Sequence, residues 1–202
     1  MMKKIGLLGG TFNPPHIGHL IMANEVFHAL DLDEVRFMPN AKPPHKQMPG
    51  DTTNEQRAKM VELAIKDVPH FKLELFEMER GGISYTFETM LALRKQEPEV
   101  CFYFIIGGDM IDSLDTWHQI DELAELVHFV GVKRPGTKGE TSYDVQMVEA
   151  PEIDLSSTYI RKRLQTGRPL DYLLPPAVES YIRKEGLYGA TSITCGNSTT
   201  DA

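Results

Sequence analysis

Residues 5–19 read IGLLGGTFNPPHIGH. Residues 5–8 are mostly apolar, which is typical of a buried strand. Gly9 and Gly10 follow, and we expect them to let the main chain turn tightly and approach a ligand without a β-carbon in the way. Two prolines then favour the φ of a helix that begins at about His16. A strand, a glycine turn and a helix N-terminus direct free N–H groups and the positive end of a helix dipole at one place, which favours a phosphate chain.

The same strand-then-helix pattern repeats along the chain. Short β-branched or aromatic runs predict strands at Lys4 to Leu8, Glu34 to Met38, Phe71 to Leu75, Val100 to Ile106, His128 to Val132 and Val145 to Val148. Apolar spacings of three and four predict helices at His16 to Leu30, Asn54 to Lys66, Tyr85 to Gln96 and Gln119 to Leu126. Helix-length connections imply right-handed crossovers, so the prediction is an α/β fold with a Rossmann-like, doubly wound parallel sheet and ligands at the carboxyl ends of its strands.

The C-terminal part is predicted to be helical. Helices are expected at Ser156 to Thr166 and Pro175 to Glu185, and the glycine after each acts as a stop signal. From Ala190 onward small polar residues dominate, so residues 190–202 are predicted to be a flexible tail and residues 1–189 a single domain. Pro43 to Thr53 is predicted to be an exposed loop that could close over a ligand.

Composition and charge exclude several classes of protein. The net charge of −8 argues against general electrostatic binding of nucleic acid. No apolar run approaches the roughly 20 residues of a membrane span, so no membrane partner is expected. Cys101 and Cys195 are the only cysteines and form no disulfide framework, which favours a cytoplasmic protein. Oligomeric state stays open, with a homo-oligomer among the options.

Three interpretations compete for His16 and His19. Three residues apart in a first helical turn, they lie on one side of the helix. They could be an ordinary helix start, or ligands of a metal, although no Asp, Glu or Cys lies nearby as a third ligand. The preceding glycines and prolines favour phosphate chemistry instead. The segment matches neither the dinucleotide-binding fingerprint nor a Walker A loop, which disfavours dehydrogenases and P-loop kinases.

A second segment, LSSTYIR at residues 155–161, has related chemistry. Ser156 or Ser157 can cap a helix there, and Arg161 follows one turn later. Alone, this describes only a capped helix with an exposed arginine. Together with the first segment it gives two helix N-termini with added His and Arg, which suit a triphosphate.

Both segments resemble the nucleotidyltransferase superfamily, in which a glycine turn precedes His-x-x-His and Ile-Ser-Ser-Thr-x-Ile-Arg lies near the C-terminus; here Leu155 replaces the usual Ile. The resemblance implies that His16, His19 and Arg161 are catalytic. It also implies that the ATP-binding residues are Gly9, Gly10, Thr11, Phe12, His16, His19, Gly107, Asp109, Ser156, Ser157, Ile160 and Arg161, with Ile160 and the Gly107 region bordering the adenosine.

Two further residues lie where a ligand is expected. Asp109 follows the most apolar predicted strand and could accept ribose hydroxyls, or could cap the next helix. Trp117, the only tryptophan, could stack on a flat ring or simply be half-buried packing.

Within the superfamily, the sequences PPHK at residues 43–46 and GISYTF at 82–87, with Asp109 and Trp117, look like bacterial nicotinate-mononucleotide adenylyltransferase. That resemblance implies that Trp117 stacks on the nicotinate ring and that the Tyr-Thr segment binds its carboxylate. The implied substrate-binding residues are Asn40, Lys46, Tyr85, Thr86, Asp109, Trp117 and Arg134, while His45 and Lys133 could equally be surface residues.

The expected reaction is attack by the phosphate of nicotinate mononucleotide on the α-phosphorus of ATP, without a covalent enzyme intermediate. Mg²⁺ is expected on the phosphates, held mainly by ATP and water and by no dedicated protein site. Alternatives are another acceptor, such as nicotinamide mononucleotide or phosphopantetheine, or a non-catalytic nucleotide sensor. An aminoacyl-tRNA synthetase is disfavoured because the chain is short and acidic.

Overall fold

The computed structural model describes residues 2–42, 52–133, 136 and 138–190. Its sheet has six strands in the order β3-β2-β1-β4-β5-β6, and every adjacent pair is parallel. The predicted α/β, doubly wound parallel sheet is confirmed. The strands are β1 (Lys3–Gly10), β2 (Glu34–Pro39), β3 (Phe71–Leu73), β4 (Val100–Gly107), β5 (His128–Val132) and β6 (Val145–Val148).

All six predicted helices are present, within two residues of the expected bounds at each end. Two shorter helices, α3 and α5, and two 3-10 turns at Leu114–Thr116 and Leu187–Gly189 were not predicted, because three to five residues are too few to show a helical period. The helices are α1 (Ile17–Ala29), α2 (Asn54–Ile65), α3 (Phe76–Arg80), α4 (Thr86–Gln96), α5 (Gly108–Ile111), α6 (Ile120–Ala124), α7 (Ser157–Gln165) and α8 (Pro176–Lys184).

Helices cover both faces of the sheet, as a buried parallel sheet requires. Leu8 of β1 belongs to the apolar core that α1, α2, α7 and α8 form on one face. Its neighbour Leu7 belongs to the core on the other face, where α4 and α6 pack. Since successive strand side chains point to opposite faces, the apolar run of β1 supplies both cores.

The C-terminal helices are part of this core. Ile160 of α7 and Val178 and Ile182 of α8 are fully buried. Gly167 and Gly186 adopt left-handed φ values of 65° and 62° after the two helices, so their predicted role as stop signals is confirmed. Ala190, at the expected start of the tail, is itself buried, and residues 191–202 lie outside the described part of the chain.

The strand order reverses between β1 and β4. In such sheets ligands bind at this switch point, beyond the carboxyl ends of the strands. Gly10 ends β1 and Gly107 ends β4, so the two segments with predicted nucleotide-binding residues meet at this edge. Within the described residues, no helix has the length and apolar character to cross a bilayer.

Candidate active site

The turn after β1 is formed differently from the sequence prediction. Gly9 and Gly10 are the last two residues of β1, and the left-handed residue is Phe12, with φ of 49°. Phe12 is 2% exposed, and a β-carbon at Gly10 would lie 3.1 Å from its ring. The prediction that the glycines make the turn was therefore wrong: Gly10 leaves room for a buried ring that folds back beneath the turn.

His16 and His19 meet at the start of α1, as predicted. His16 is the extended N-cap residue, and its ring stacks on that of His19 with 3.7 Å between centroids. The main-chain N–H of His16 donates to Nδ1 of His19 across 3.1 Å. Because Nδ1 accepts, a neutral His19 carries its proton on Nε2, which makes Nε2 the donor nitrogen of the ring.

The second segment lies directly against this turn. Ser156 caps α7 by accepting a hydrogen bond from the N–H of Tyr159 at 3.2 Å, while the Ser157 hydroxyl donates to the carbonyl of Pro14 at 2.8 Å. Arg161 donates from Nη1 to the carbonyl of Asn13 at 2.7 Å. The two segments, far apart in sequence, thus form one site, and Arg161 is half-buried in it, not an exposed helix residue.

The charges at the helix N-termini single out the same two helices. Among the eight α-helices in the described ranges, only α1 and α7 begin without an acidic side chain in the first turn. An acidic side chain there stabilises a helix dipole but repels an incoming anion. The two joined N-termini therefore place no acidic first-turn side chain against a phosphate chain.

A cavity of about 440 Å³ opens beside the turn at the switch point. It brings together most of the residues predicted for the acceptor, together with the glycines and Thr11 of the first segment. Those predicted residues are Gly9, Gly10, Thr11, Asn40, Tyr85, Thr86, Asp109 and Trp117. The lining residues that were not predicted are Met38, Glu77, Ser84, Phe104, Met110, Ser113 and His118.

Aromatic rings form one wall of the cavity. The half-buried Trp117 meets Phe104 and Phe129 edge to face, with centroids 5.9 and 6.3 Å apart and interplanar angles of 90° and 88°. Asp109 is exposed and is the second residue of α5, whose N-cap is Gly107. Asp109 therefore does not cap that helix, and its carboxylate lines the cavity instead.

Another wall is the start of α4. Tyr85 is its N-cap residue and Thr86 its first helical residue, and both line the cavity. Since the first N–H groups of a helix lack partners within the helix, this wall offers main-chain donors to an anion. Glu88, the acidic residue of this first turn, pairs with Nε2 of His118 at 3.3 Å. The ring of His118 lies 4.8 Å from that of Tyr85 and closes this end.

A second, much smaller cleft of about 20 Å³ lies beside the first turn of α1. Gly18 and Met22 of α1, Lys133 after β5 and the stretch before α7 surround it, including Ile153 and Leu155. Most of the residues that line this cleft are apolar, Lys133 is the charged one, and the cleft borders both predicted phosphate-binding segments.

Some residues predicted to bind a ligand have no side chain exposed to the cavity or lie outside the described part of the chain. The side chains of Phe12 and Ile160 are buried, and Gly107 is buried at the end of β4, so these three can reach a ligand only through their main chain. Asn40 lies at the cavity, where its side-chain amide donates to the Thr11 hydroxyl at 3.4 Å. The predicted Lys46 and Arg134, and most of the Pro43 to Thr53 loop, lie outside the described residues.

Two buried charged residues were missed by the sequence reasoning. Arg57 of α2 is completely buried, and Glu77 of α3 is 6% exposed. Charged residues on short or amphipathic helices are normally exposed, so nothing in the local pattern marks them. Across the described positions, no three His, Cys, Asp or Glu side chains form a group that could hold a metal ion.

The chain is similar to several known proteins. A cytidylyltransferase-like family model matches residues 7–163. The probable nicotinate-nucleotide adenylyltransferase of Bacillus pumilus is 54% identical over 187 residues, which are 93% of this chain and 99% of that protein. The nicotinate-nucleotide adenylyltransferase of Bacillus subtilis is 52% identical with the same coverage. A solved structure of Plasmodium falciparum nicotinic acid mononucleotide adenylyltransferase complexed with NaAD is 20% identical, with a TM-score of 0.80 over 94% of this chain and 98% of that one.

Proposed function

Because the chain belongs to the nicotinate-nucleotide adenylyltransferase family, we propose that it transfers AMP from ATP to nicotinate mononucleotide, giving nicotinate adenine dinucleotide and pyrophosphate in NAD biosynthesis. The observation that carries the proposal is the contact between the starts of α1 and α7 beside an aromatic-lined cavity at the switch point. The two helix N-termini suit a triphosphate, and the aromatic-lined cavity suits a flat aromatic ring.

In the proposed reaction a phosphate oxygen of the mononucleotide attacks the α-phosphorus of ATP. The bond from that phosphorus to the oxygen bridging to the β-phosphorus breaks, and pyrophosphate leaves with the bond's electron pair. The nucleophile is already an anion, so no general base is needed. Catalysis consists of aligning two like-charged reactants and stabilising the charge that develops on the phosphate oxygens.

On the ATP side, the N–H groups at the starts of α1 and α7 would bind the phosphate chain. His19 would donate from Nε2, because Nδ1 already accepts from the main chain. Arg161, held by the carbonyl of Asn13, would supply a fixed positive charge, and His16 would contribute from its position stacked on His19. Gly9, Gly10, Thr11, Ser156 and Ser157 would complete the phosphate site.

The adenosine would lie on the side of the small cleft. At about 20 Å³ the cleft does not enclose a purine, but the apolar residues around it, next to the first turn of α1, would contact one face of the base at its mouth. Ile160 would contribute only through its main chain, because its side chain is buried, and Gly107 has only a main chain to offer. Asp109, on the exposed rim of the large cavity, would accept hydrogen bonds from ribose hydroxyls.

The large cavity would take the acceptor. Trp117 would stack on the nicotinate ring, and the N-terminus of α4 with Tyr85 and Thr86 would bind its carboxylate. Asn40 lies at the same cavity next to Thr11 and would contact the mononucleotide phosphate. We propose that Lys46 and Arg134 bind that phosphate too, as the family resemblance implies.

Mg²⁺ would enter with ATP and neutralise part of the phosphate charge. It prefers oxygen ligands and keeps several waters, so phosphate oxygens and water would supply most of its coordination. We further propose a cytoplasmic enzyme, since Cys101 is a free thiol of the kind that a reducing compartment preserves.

The decisive experiment measures pyrophosphate release from ATP and Mg²⁺ with three acceptors in parallel: nicotinate mononucleotide, nicotinamide mononucleotide and phosphopantetheine. We expect the fastest release with nicotinate mononucleotide, and loss of that release in His19→Ala. Faster release with phosphopantetheine would mean that phosphopantetheine, and not nicotinate mononucleotide, is the acceptor. Binding of ATP with no pyrophosphate from any acceptor would favour a nucleotide sensor and overturn the proposal.

A further inference from the structure

Glu77 is a buried carboxyl group that lines the large cavity and has no part in the reaction described above. It lies on α3 with only 6% of its surface exposed. The other acidic residue of the cavity lining, Asp109, is exposed to solvent. Glu77 is therefore the acidic group whose charge water screens least in this cavity.

The surroundings of Glu77 connect it to the start of α4. Thr89 of α4 donates a hydrogen bond from its hydroxyl to Oε1 at 2.9 Å, and the Ser84 hydroxyl is also a hydrogen-bonding partner. Ser84 immediately precedes Tyr85 and Thr86, and all three line the cavity with Glu77. The buried carboxyl thus belongs to the same wall as the proposed site of the nicotinate carboxylate.

Burial raises the pKa of Glu77 above its ordinary value of 4.5, while the bonds from Thr89 and Ser84 and the charge of Arg80 act in the opposite direction. Among the described residues that line the cavity, the other charged or titratable groups are Tyr85, Asp109 and His118, and Glu88 of α4 pairs with His118 at 3.3 Å. Neither Asp109 nor His118 is as buried as Glu77. If Glu77 lost its proton, the cavity wall at the start of α4 would gain a negative charge that water screens poorly, because Glu77 is buried.

We propose that the charge of Glu77 sets the preference for the acid mononucleotide over its amide: neutral Glu77 admits the nicotinate carboxylate at the start of α4, and ionised Glu77 repels it. This inference rests on the proposed function and adds a specificity-determining residue to it. The amide has no charge on the ring substituent, so it does not experience this repulsion. By reciprocity, binding of the acid favours the protonated form of Glu77 and takes up a proton.

The test compares the affinities of nicotinate mononucleotide and nicotinamide mononucleotide by titration calorimetry from about pH 5 to about pH 9. The ratio of the two affinities is used because both ligands carry the same phosphate, whose titration cancels. In the wild type we expect the acid preference to fall about tenfold as pH rises, the effect of two like charges roughly 10 Å apart at an effective dielectric constant near 20.

Glu77→Gln should hold the ratio near its low-pH value at every pH, because Gln keeps the acceptor oxygen for Thr89 and never ionises. Glu79→Gln is the matched control, since Glu79 lies on the same helix but is exposed, and it should behave as the wild type. A wild-type ratio that does not change with pH, or a Glu77→Gln ratio that falls like that of the wild type, overturns the inference.

A second measurement uses only the wild type. Binding heats in buffers of different ionisation enthalpy should reveal proton uptake with the acid that exceeds the uptake with the amide, and equal uptake would contradict the role of Glu77. Failure of the proposed function is distinguishable, because the enzyme would then release no pyrophosphate with either mononucleotide.

Discussion

Arg57 donates a hydrogen bond of 2.8 Å from Nη1 to the main-chain carbonyl of Thr11, and its side chain is completely buried. Nη2 donates to the carbonyl of Asn40 at 2.6 Å and to the side chain of Asn54 at 2.7 Å. One guanidinium group thus joins the turn after β1, the end of β2 and the start of α2. Burial lowers the pKa of Arg57, yet a guanidinium remains charged, and the carbonyl dipoles replace its lost hydration.

Arg57→Lys should therefore destabilise the protein, although the positive charge is kept. An ammonium group cannot reach both Thr11 and Asn40 as the planar fork of arginine does. We expect a loss of roughly 2 to 3 kcal/mol in the free energy of unfolding, measured by urea denaturation. Arg80→Lys, at an exposed position on α3, is the control and should change that free energy by less than about 0.5 kcal/mol. Equal stability of the two variants would show that the fork is dispensable.

The paired histidines give a kinetic prediction. His19→Ala and His16→Ala should each lower kcat by about 10² to 10³-fold, or roughly 3 to 4 kcal/mol of transition-state stabilisation, with a smaller change in the KM for ATP. His28→Ala is a suitable control, because His28 is exposed at the other end of α1. Steady-state pyrophosphate release measures all three. Turnover near that of the wild type in both paired variants would exclude the proposed mechanism.

The local parts of the site were predictable from the sequence. His16 and His19 stack because they are the N-cap and the third residue of one helix, a spacing that the sequence shows. The apolar runs of β1 and β4 identify the strands that end at the switch point. The contact of Arg161 with Asn13 joins residues that are 148 positions apart, and only shared phosphate chemistry and the family resemblance pointed to it.

The residues that sequence reasoning missed are those whose role depends on tertiary contacts. Arg57 bonds to main-chain carbonyls, which leave no sequence signature, and Glu77 is on a helix too short to show a period. Because glycine favours turns, the sequence predicts a turn at Gly10. In the structure, the absence of a side chain at Gly10 leaves room for the packed ring of Phe12. Tertiary packing, more than local propensity, decides such positions.

Trp117→Ala should act mainly on the acceptor. Loss of the stacking surface should raise the KM for nicotinate mononucleotide about tenfold, or roughly 1 to 2 kcal/mol, and leave the KM for ATP nearly unchanged. Trp117→Phe should recover part of the loss, because a smaller ring can still stack beside Phe104 and Phe129. An unchanged KM for the mononucleotide together with a raised KM for ATP would reassign Trp117 to the nucleotide side.

Glu77 also predicts how stability depends on pH. Burial raises its pKa in the folded state above that of the unfolded chain, so the folded state holds the proton more tightly. As pH rises from about 4.5 through the folded-state pKa, the wild type should lose stability because a buried charge forms, whereas Glu77→Gln should not. The variant's advantage should reach about 1.4 kcal/mol for each pH unit that separates the two pKa values, and then level off.

Urea denaturation of both proteins across this pH range measures that difference directly, since other titrating groups affect both proteins alike. Glu79→Gln, at the exposed position on α3, should differ from the wild type by the same amount at every pH. A Glu77→Gln advantage that is constant, or largest at acid pH, would mean that Glu77 is already ionised throughout in the folded protein. In that case the start of α4 would bind the acid substrate against a permanent negative charge, and the acid preference would have to come from Tyr85, Thr86 and the helix dipole alone.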